Sequence, residues 1–237
     1  MSDLSSRSYT EASPGLNRNK FETFPIGMIK LSDRQPFAGG TKRDCYFHPD
    51  DEDKVIKVIP PEKSPKVLHS QKLWLRRMLQ SPETFNANRT ESQKFEKLER
   101  NLGKLEEVLP HLVKYFGKIE TDLGEGLVFQ AIKNYDGTIS ETVDDASQTG
   151  GYEKETLLEA LKKFSLNKHD AVIFNDVGKQ NVVIQVLNAG HSSYKLWIVD
   201  GINCGPIIPI SEYSKTYASA RKAKKIWKLK RYILKNF

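Results

Sequence analysis

Between Ala171 and Gly201 short apolar runs alternate with polar turns, and that alternation narrows the choice of fold more than any other stretch. Ala171-Val-Ile-Phe174 reads as a short buried strand, and Asn181-Val-Val-Ile-Gln-Val-Leu187 reads as another. Asn188-Ala-Gly-His-Ser-Ser193 is a turn, and Lys195-Leu-Trp-Ile-Val199 is the return strand. Paired this way, the strands deliver Asp200 beside the loop Asn175–Asn181. A polar turn between two core strands accounts for the loop as well as a catalytic role does.

Asp176 and Asn181 are five positions apart, and Asp200 lies nineteen residues beyond Asn181. Kinase-like phosphotransferases use such a set. One carboxylate orients or deprotonates the acceptor hydroxyl, the Asn oxygen helps hold a metal ion, and a second carboxylate holds the metals bridging the nucleotide phosphates. Such chemistry also needs a cation for the phosphates and an anion to position that cation.

The upstream pattern offers both. Met28–Leu31, Asp44–His48 and Lys54–Ile59 read as strands, separated by the Gly39-Gly40-Thr41 turn and the Pro49–Asp53 hairpin turn, giving an antiparallel meander. Lys57 sits on the third strand among Val and Ile neighbours, where burying an ammonium without a partner is costly. An edge-strand Lys facing water is the competing reading. Helices are predicted over Pro65–Leu79 and Arg89–Leu105, the second with Phe95, Leu98, Leu102 and Leu105 at helical spacing. Glu91 opens that helix and is the best counter-charge, although an acid there also suits the helix dipole. Glu83 and Glu96 are rivals. Gly39 and Gly40 admit close approach of backbone N–H groups to phosphate, or simply a hairpin turn. Lys42 and Arg43 either touch phosphate or are solvated.

Val113–Ile119 and Leu127–Ile132 form a predicted hairpin, Lys133–Gly137 a crossing segment, and Tyr152–Leu166 a helix with Leu157, Leu158, Leu161 and Phe164 on its face. A final helix spans about Glu212–Leu234. Gly turn, strand Lys, helix Glu, hairpin, crossing, helix, Asp-x4-Asn and Asp-Gly stand in the order that kinase-like folds use. The expected fold is α+β: a small bilobal protein-kinase-like fold with an antiparallel N-lobe sheet and a reduced helical C-lobe. Residues 1–25 read as a flexible arm, 26–133 as the N-lobe and 134–237 as the C-lobe with a basic terminal helix.

The chain has 237 residues, 38% hydrophobic and 28% charged, which suits a soluble globular protein with one substantial core or two small lobes. No apolar stretch reaches the roughly 20 residues that span a bilayer, and the N-terminus lacks a signal-peptide core. Cys45 and Cys204 are the only cysteines, so a disulfide framework is not expected and a reducing cytoplasm is the simplest compartment. Both read as core or loop residues rather than reactive thiols. Arg221–Phe237 carries eight cations and no acid, more than the whole net charge of +7. Basicity belongs to the tail.

These residues resemble the YrbL-like family, small bacterial proteins of protein-kinase-like fold named for the PhoP regulatory network. The resemblance runs from about Leu31 to Leu234. It rests on Leu31–Pro49, on Cys45 with Val55–Val58, on Asn88–Glu91, on Gly117–Leu127, on the Asp176–Asn181 loop and on Val199–Gly201. It implies that Lys57 holds nucleotide phosphates, Glu91 pairs with Lys57, Asp176 is the base, and Asn181 and Asp200 are the metal ligands, with ATP and Mg²⁺ as cofactors. Asn175 stands where a kinase usually has Arg, and Lys179 sits one place later than the usual loop Lys.

Only 37 residues follow Asp200, which argues for a hydroxyl acceptor on a small molecule or a lipid-linked sugar (a glycolipid) rather than a peptide. In the last helix Ala220, Ala223, Ile226, Trp227, Leu229, Ile233 and Phe237 share one side with cations around the rest. That side either packs on the lobe, the favoured reading, or makes peripheral contact with an anionic inner membrane through Arg221–Phe237. Trp227 and Tyr232 read as core, so nucleic acid is not an expected partner. The alternative to an active phosphotransferase is a pseudokinase acting as a nonenzymatic regulatory or binding module.

Overall fold

The computed structural model describes residues 27–71, 81, 86–165, 177–201 and 215–237. The architecture is α+β, with two sheets that head two lobes. In the first sheet β1 (Ala38–Gly39), β2 (Asp44–His48), β3 (Asp51–Val58), β4 (Tyr115–Thr121) and β5 (Gly124–Gln130) are antiparallel in the order β1-β2-β3-β5-β4. Between β3 and β4 lie α1 (Pro65–Ser70), α2 (Ala87–Leu102) and α3 (Leu105–Val108). The second sheet holds β6 (Glu141–Thr142), β7 (Val182–Val186) and β8 (Tyr194–Ile198). It is accompanied by α4 (Val143–Thr149), α5 (Lys154–Ser165) and α6 (Lys215–Asn236). The described elements contain no helix long and apolar enough to cross a membrane.

Strand β3 sorts its side chains by the two-residue period of a pleated strand. Ile56 and Val58 face one way, into a small cluster with Ile29, Leu31 and Tyr46. Val55 faces the other way, into the main core that runs through Phe95, Phe129, Leu161 and Ile184. Lys57 shares that second face, which is why it needs a partner. Gly126 stands where β5 crosses this sheet, and a Cβ there would lie 2.6 Å from Ile56 Cγ2, so only glycine fits.

Helix α2 begins two residues earlier than expected, with the Asn86 side chain accepting the Arg89 N–H at 2.9 Å as its N-cap. Glu91 is therefore one turn inside the helix rather than at its opening. The helix also ends earlier, at Gly103, and Leu105 belongs to α3.

Met28–Leu31 is not a sheet strand. Ile29 makes one parallel bridge to Thr121, and the Leu31 and Ser32 amides donate instead to the Asp122 carboxylate at the tip of the β4–β5 hairpin. The first strand is Ala38–Gly39, and the tight turn falls at Gly40–Arg43, closed by the Gly40 N–H to the Arg43 carbonyl at 2.8 Å. The expected strand Ala171–Phe174 and the end of the Pro65–Leu79 helix lie outside the described residues.

Helix α5 buries Leu157, Ala160, Leu161 and Phe164. Helix α6 packs on α5 and α4 with Leu229 and Ile233 buried. Trp227 departs from the expected packing side: it is 54% exposed, with the Arg231 guanidinium 4.8 Å from its ring centroid. Ala220 and Ala223 are exposed as well.

Among the described residues, backbone and side-chain hydrogen bonds join the two lobes at the crossing segment and after α3. The crossing segment closes a turn in which the Asn134 side chain accepts from Ser140 Oγ and from the Val186 N–H, both at 2.9 Å. The stretch after α3 pairs with β8 through Val113 N–H to the Ile198 carbonyl and Ile198 N–H to the His111 carbonyl.

Candidate functional site

The cleft between the sheets gathers four ionic side chains from four separate elements. Lys57 on β3 is 6% exposed and Glu91 on α2 is 0% exposed, with Lys57 Nζ 3.6 Å from Glu91 Oε1. Helix α2 is held against the sheet here because Asn88 Nδ2 donates to the Glu125 carbonyl at 2.8 Å and lies 3.4 Å from the Lys57 carbonyl. Glu91, three residues on, is thereby fixed under β3. Lys57 Nζ also donates to the Val199 carbonyl at 2.6 Å and lies 4.4 Å from the Phe129 ring centroid. A strand lysine thus reaches across to the end of β8.

Asp200 follows that carbonyl directly. Its Oδ1 accepts the Gly201 N–H at 2.6 Å, and its Oδ2 accepts Arg43 Nη2 at 3.0 Å. Burial pushes the Asp200 carboxyl upward, but Lys57, Arg43 and the Gly201 amide outweigh it and hold the group below the usual aspartate value. Asn181 stands at the start of β7, where its carbonyl accepts the Val199 N–H at 3.0 Å. The hairpin therefore sets Asn181 and Asp200 on neighbouring strands. Asp176 lies outside the described residues.

Among the rival acids Glu96 is exposed on α2 and Glu83 lies outside the described residues. Gly39 pairs with Asp44 across the β1–β2 register, and Gly40 opens the turn above the cluster. Lys42 is exposed.

Arg43 is the residue that sequence reasoning left undecided. It is buried, 8% exposed, and its Nη1 donates to Glu91 Oε2 while its Nη2 holds Asp200. Burial draws the guanidinium pKa down, and Glu91 and Asp200 more than reverse this, so the net shift is upward. The signal for its direction is the strand period. Asp44, its neighbour, turns to the opposite face of the sheet, to Lys63 Nζ at 2.5 Å, which leaves Arg43 on the face of Lys57 and Glu91. Cys45 pairs with Lys57 in the β2–β3 register, and burial raises its thiol pKa. Burial therefore favours the neutral thiol.

The loop before Asn181 is tied down elsewhere. Lys179 Nζ meets Asp144 Oδ1 at 2.7 Å, Tyr232 Oη donates to the same oxygen at 2.9 Å, and Gln180 Nε2 reaches Asp144 Oδ2 at 3.2 Å. Those bonds, Lys179 first, lower the Asp144 carboxyl pKa. Lys179 is thus an anchor between α4, α6 and the loop.

The oxygen donors suit a hard cation carried in with phosphates. Mg²⁺ keeps several waters and takes one or two carboxylates plus phosphate oxygens. Asp200 offers one such carboxylate, with the Asn181 backbone on the adjoining strand, and the described residues hold no group of three or more His, Cys, Asp or Glu to cage a metal by themselves. Asp200's side chain is 43% exposed, so it is reachable from the cleft. A cavity of about 810 Å³ lies away from this cluster, against Lys54, Tyr115, Phe116 and Trp197.

The sequence profile of the family described as PhoP regulatory network protein YrbL matches residues 29–233. Uncharacterized protein YrbL of Escherichia coli (strain K12) is 25% identical over 206 residues, covering 85% of each chain. The protein of the same description from Shigella flexneri matches with the same identity and coverage. The matched span takes in every described member of the ionic cluster and both sheets. The chain belongs to the YrbL family of PhoP regulatory network proteins.

Proposed function

We propose that the protein is an ATP- and Mg²⁺-dependent phosphotransferase of kinase-like fold. The observation that carries this reading is the convergence of Lys57, Glu91 and Asp200 from β3, α2 and the end of β8, with Asn181 on the adjoining strand. Bound nucleotide supplies the transferable phosphoryl group, and Mg²⁺ offsets its negative charge. Lys57, steered by Glu91, presents an ammonium to the phosphates beneath the Gly39–Gly40 turn. Asp200 and Asn181 offer oxygen ligands. Asp176 takes the proton of the acceptor hydroxyl.

The acceptor is a small molecule or a lipid-linked sugar. The connection between Asp200 and α6, which starts at Lys215, is short, and α6 then packs back on α4 and α5, which supports a compact acceptor rather than an extended peptide. The test is ATP turnover in the presence of candidate hydroxyl acceptors. ADP should form with the wild type and fall by at least about 100-fold with Asp176→Ala, the scale of general base catalysis. Turnover unaffected by Asp176→Ala defeats the reading.

A nonenzymatic pseudokinase module is the second reading. It draws support from Arg43, which already fills Glu91 and Asp200 with a protein cation. Nucleotide binding without ADP formation, across acceptors, would select it.

A further inference from the structure

Arg43 holds a position that an incoming metal–nucleotide must contest. Both Asp200 oxygens are engaged, Oδ1 by the Gly201 amide at 2.6 Å and Oδ2 by Arg43 at 3.0 Å. Glu91 gives its Oε2 to the same guanidinium. Its other oxygen, Oε1, is buried without a hydrogen bond: Lys57, the natural donor, stands 3.6 Å off in ion-pair contact and directs one of its three N–H groups to the Val199 carbonyl. A buried carboxylate oxygen left unbonded is costly, so the cluster is not at its best-satisfied arrangement.

Charge leads to the same point. Arg43 and Lys57 balance Glu91 and Asp200, so these four described groups carry no net charge together. A divalent cation arriving alone meets a carboxylate already bonded on both oxygens and two protein cations nearby. A polyphosphate changes this, because a guanidinium matches phosphate oxygens bidentately as well as it matches carboxylates. The backbone allows the exchange: Arg43 ends the short Gly40–Arg43 turn, while Asp44 stays paired to Lys63 on the opposite face of the sheet.

We infer that Arg43 is a phosphate-operated gate: it clasps Glu91 and Asp200 and moves onto the nucleotide's phosphates when they enter. Its departure frees Asp200 Oδ2 for the metal and lets Lys57 close on Glu91 Oε1. Metal binding is then conditional on the polyphosphate, and Arg43 is a nucleotide-binding residue. This rests on the phosphotransferase reading but concerns the order of binding, which that reading leaves open.

The test is Mn²⁺ binding followed by water proton relaxation, with and without ATP, on the wild type, Arg43→Met and Arg43→Lys, each first checked for native circular dichroism. The wild type should bind Mn²⁺ at least tenfold more weakly alone than with ATP. Arg43→Met should gain at least tenfold in Mn²⁺ affinity without ATP and lose at least tenfold in ATP affinity. Arg43→Lys, whose single ammonium does not span both carboxylates, should shift in the same directions. Wild-type Mn²⁺ binding that is indifferent to ATP overturns the gate whatever the variants do. An Mn²⁺–ATP complex unchanged by both substitutions overturns the gate while leaving the nucleotide site standing. Absence of any Mn²⁺–ATP complex in the wild type removes the site itself, and the gate with it.

Discussion

Glu91 is fully buried between two cations, Lys57 and Arg43, and no solvent compensates either of them if it is lost. Removing one member of a buried pair costs about 3–5 kcal/mol, because the partner charge stays desolvated. Glu91→Ala should therefore lower unfolding free energy by about that amount in urea melts, while Glu96→Ala on the exposed face stays within about 0.5 kcal/mol. Equal effects of the two substitutions would contradict the assignment of Glu91 as the counter-charge. Lys57 was legible from sequence because an ammonium among Val and Ile neighbours is expensive to bury. Glu91, by contrast, does not hold the helix-opening place expected of it, and its pairing follows from the Asn88 contacts that dock α2 on the sheet. Arg43 was not legible, since a cation beside a glycine turn is as natural in water as in a cleft. Its direction shows only in the fold, where Asp44 pairs with Lys63 on one face of the sheet and Arg43 with Glu91 on the other.

At the scale of elements, periodicity was reliable where one face is buried. Strands β2, β3 and β5 and helix α5 fall near their expected spans, because apolar positions at period 2 or 3.6 reflect burial directly. Met28–Leu31 misled for the same reason. Ile29 and Leu31 are buried, but their stretch packs across the sheet and is held by the Asp122 carboxylate, so burial came without strand pairing. Helix α6 divides its sides more finely than composition indicated: Leu229 and Ile233 pack inward, whereas Trp227 and Leu234 are exposed among Lys224, Lys228, Lys230, Arg231 and Lys235. We propose that this outer side makes peripheral contact with anionic lipid, where each Lys or Arg near the surface contributes about 1 kcal/mol. Vesicles containing phosphatidylglycerol should retain the protein at low salt, and the triple substitution Lys224→Glu, Lys228→Glu, Arg231→Glu should release it. Retention equal on neutral vesicles, or unaffected by the triple substitution, counts against the contact.

For the whole molecule, the joint between lobes and the cleft beneath it are the same structure. His111 sits on that joint: its carbonyl accepts the Ile198 N–H, and its Nδ1 lies 2.8 Å from the Leu196 carbonyl. Burial lowers the His111 pKa below its ordinary 6.5, so the fold favours the neutral ring. The unfolded chain then binds the extra proton at higher pH than the folded one. Stability from this group is complete above about pH 6.5 and declines as pH falls toward the lower folded value. Melting temperature should drop between pH 7.5 and 5.5, and His111→Asn, which retains a donor for Leu196 but does not titrate, should flatten that drop. An unchanged slope would assign the pH dependence to other groups. In the proposed function Lys57, Glu91, Asn181 and Asp200 form a nucleotide–Mg²⁺ site. Its most direct measure is the melting temperature with millimolar ATP and Mg²⁺. Ligand at 100 times its Kd adds about 2.7 kcal/mol, and a chain of this size gains about 2–4 °C per kcal/mol. The wild type should rise by several degrees only when both are present, and Asp200→Ala should not rise. A wild type that does not move, or an Asp200→Ala protein that moves equally, contradicts the site.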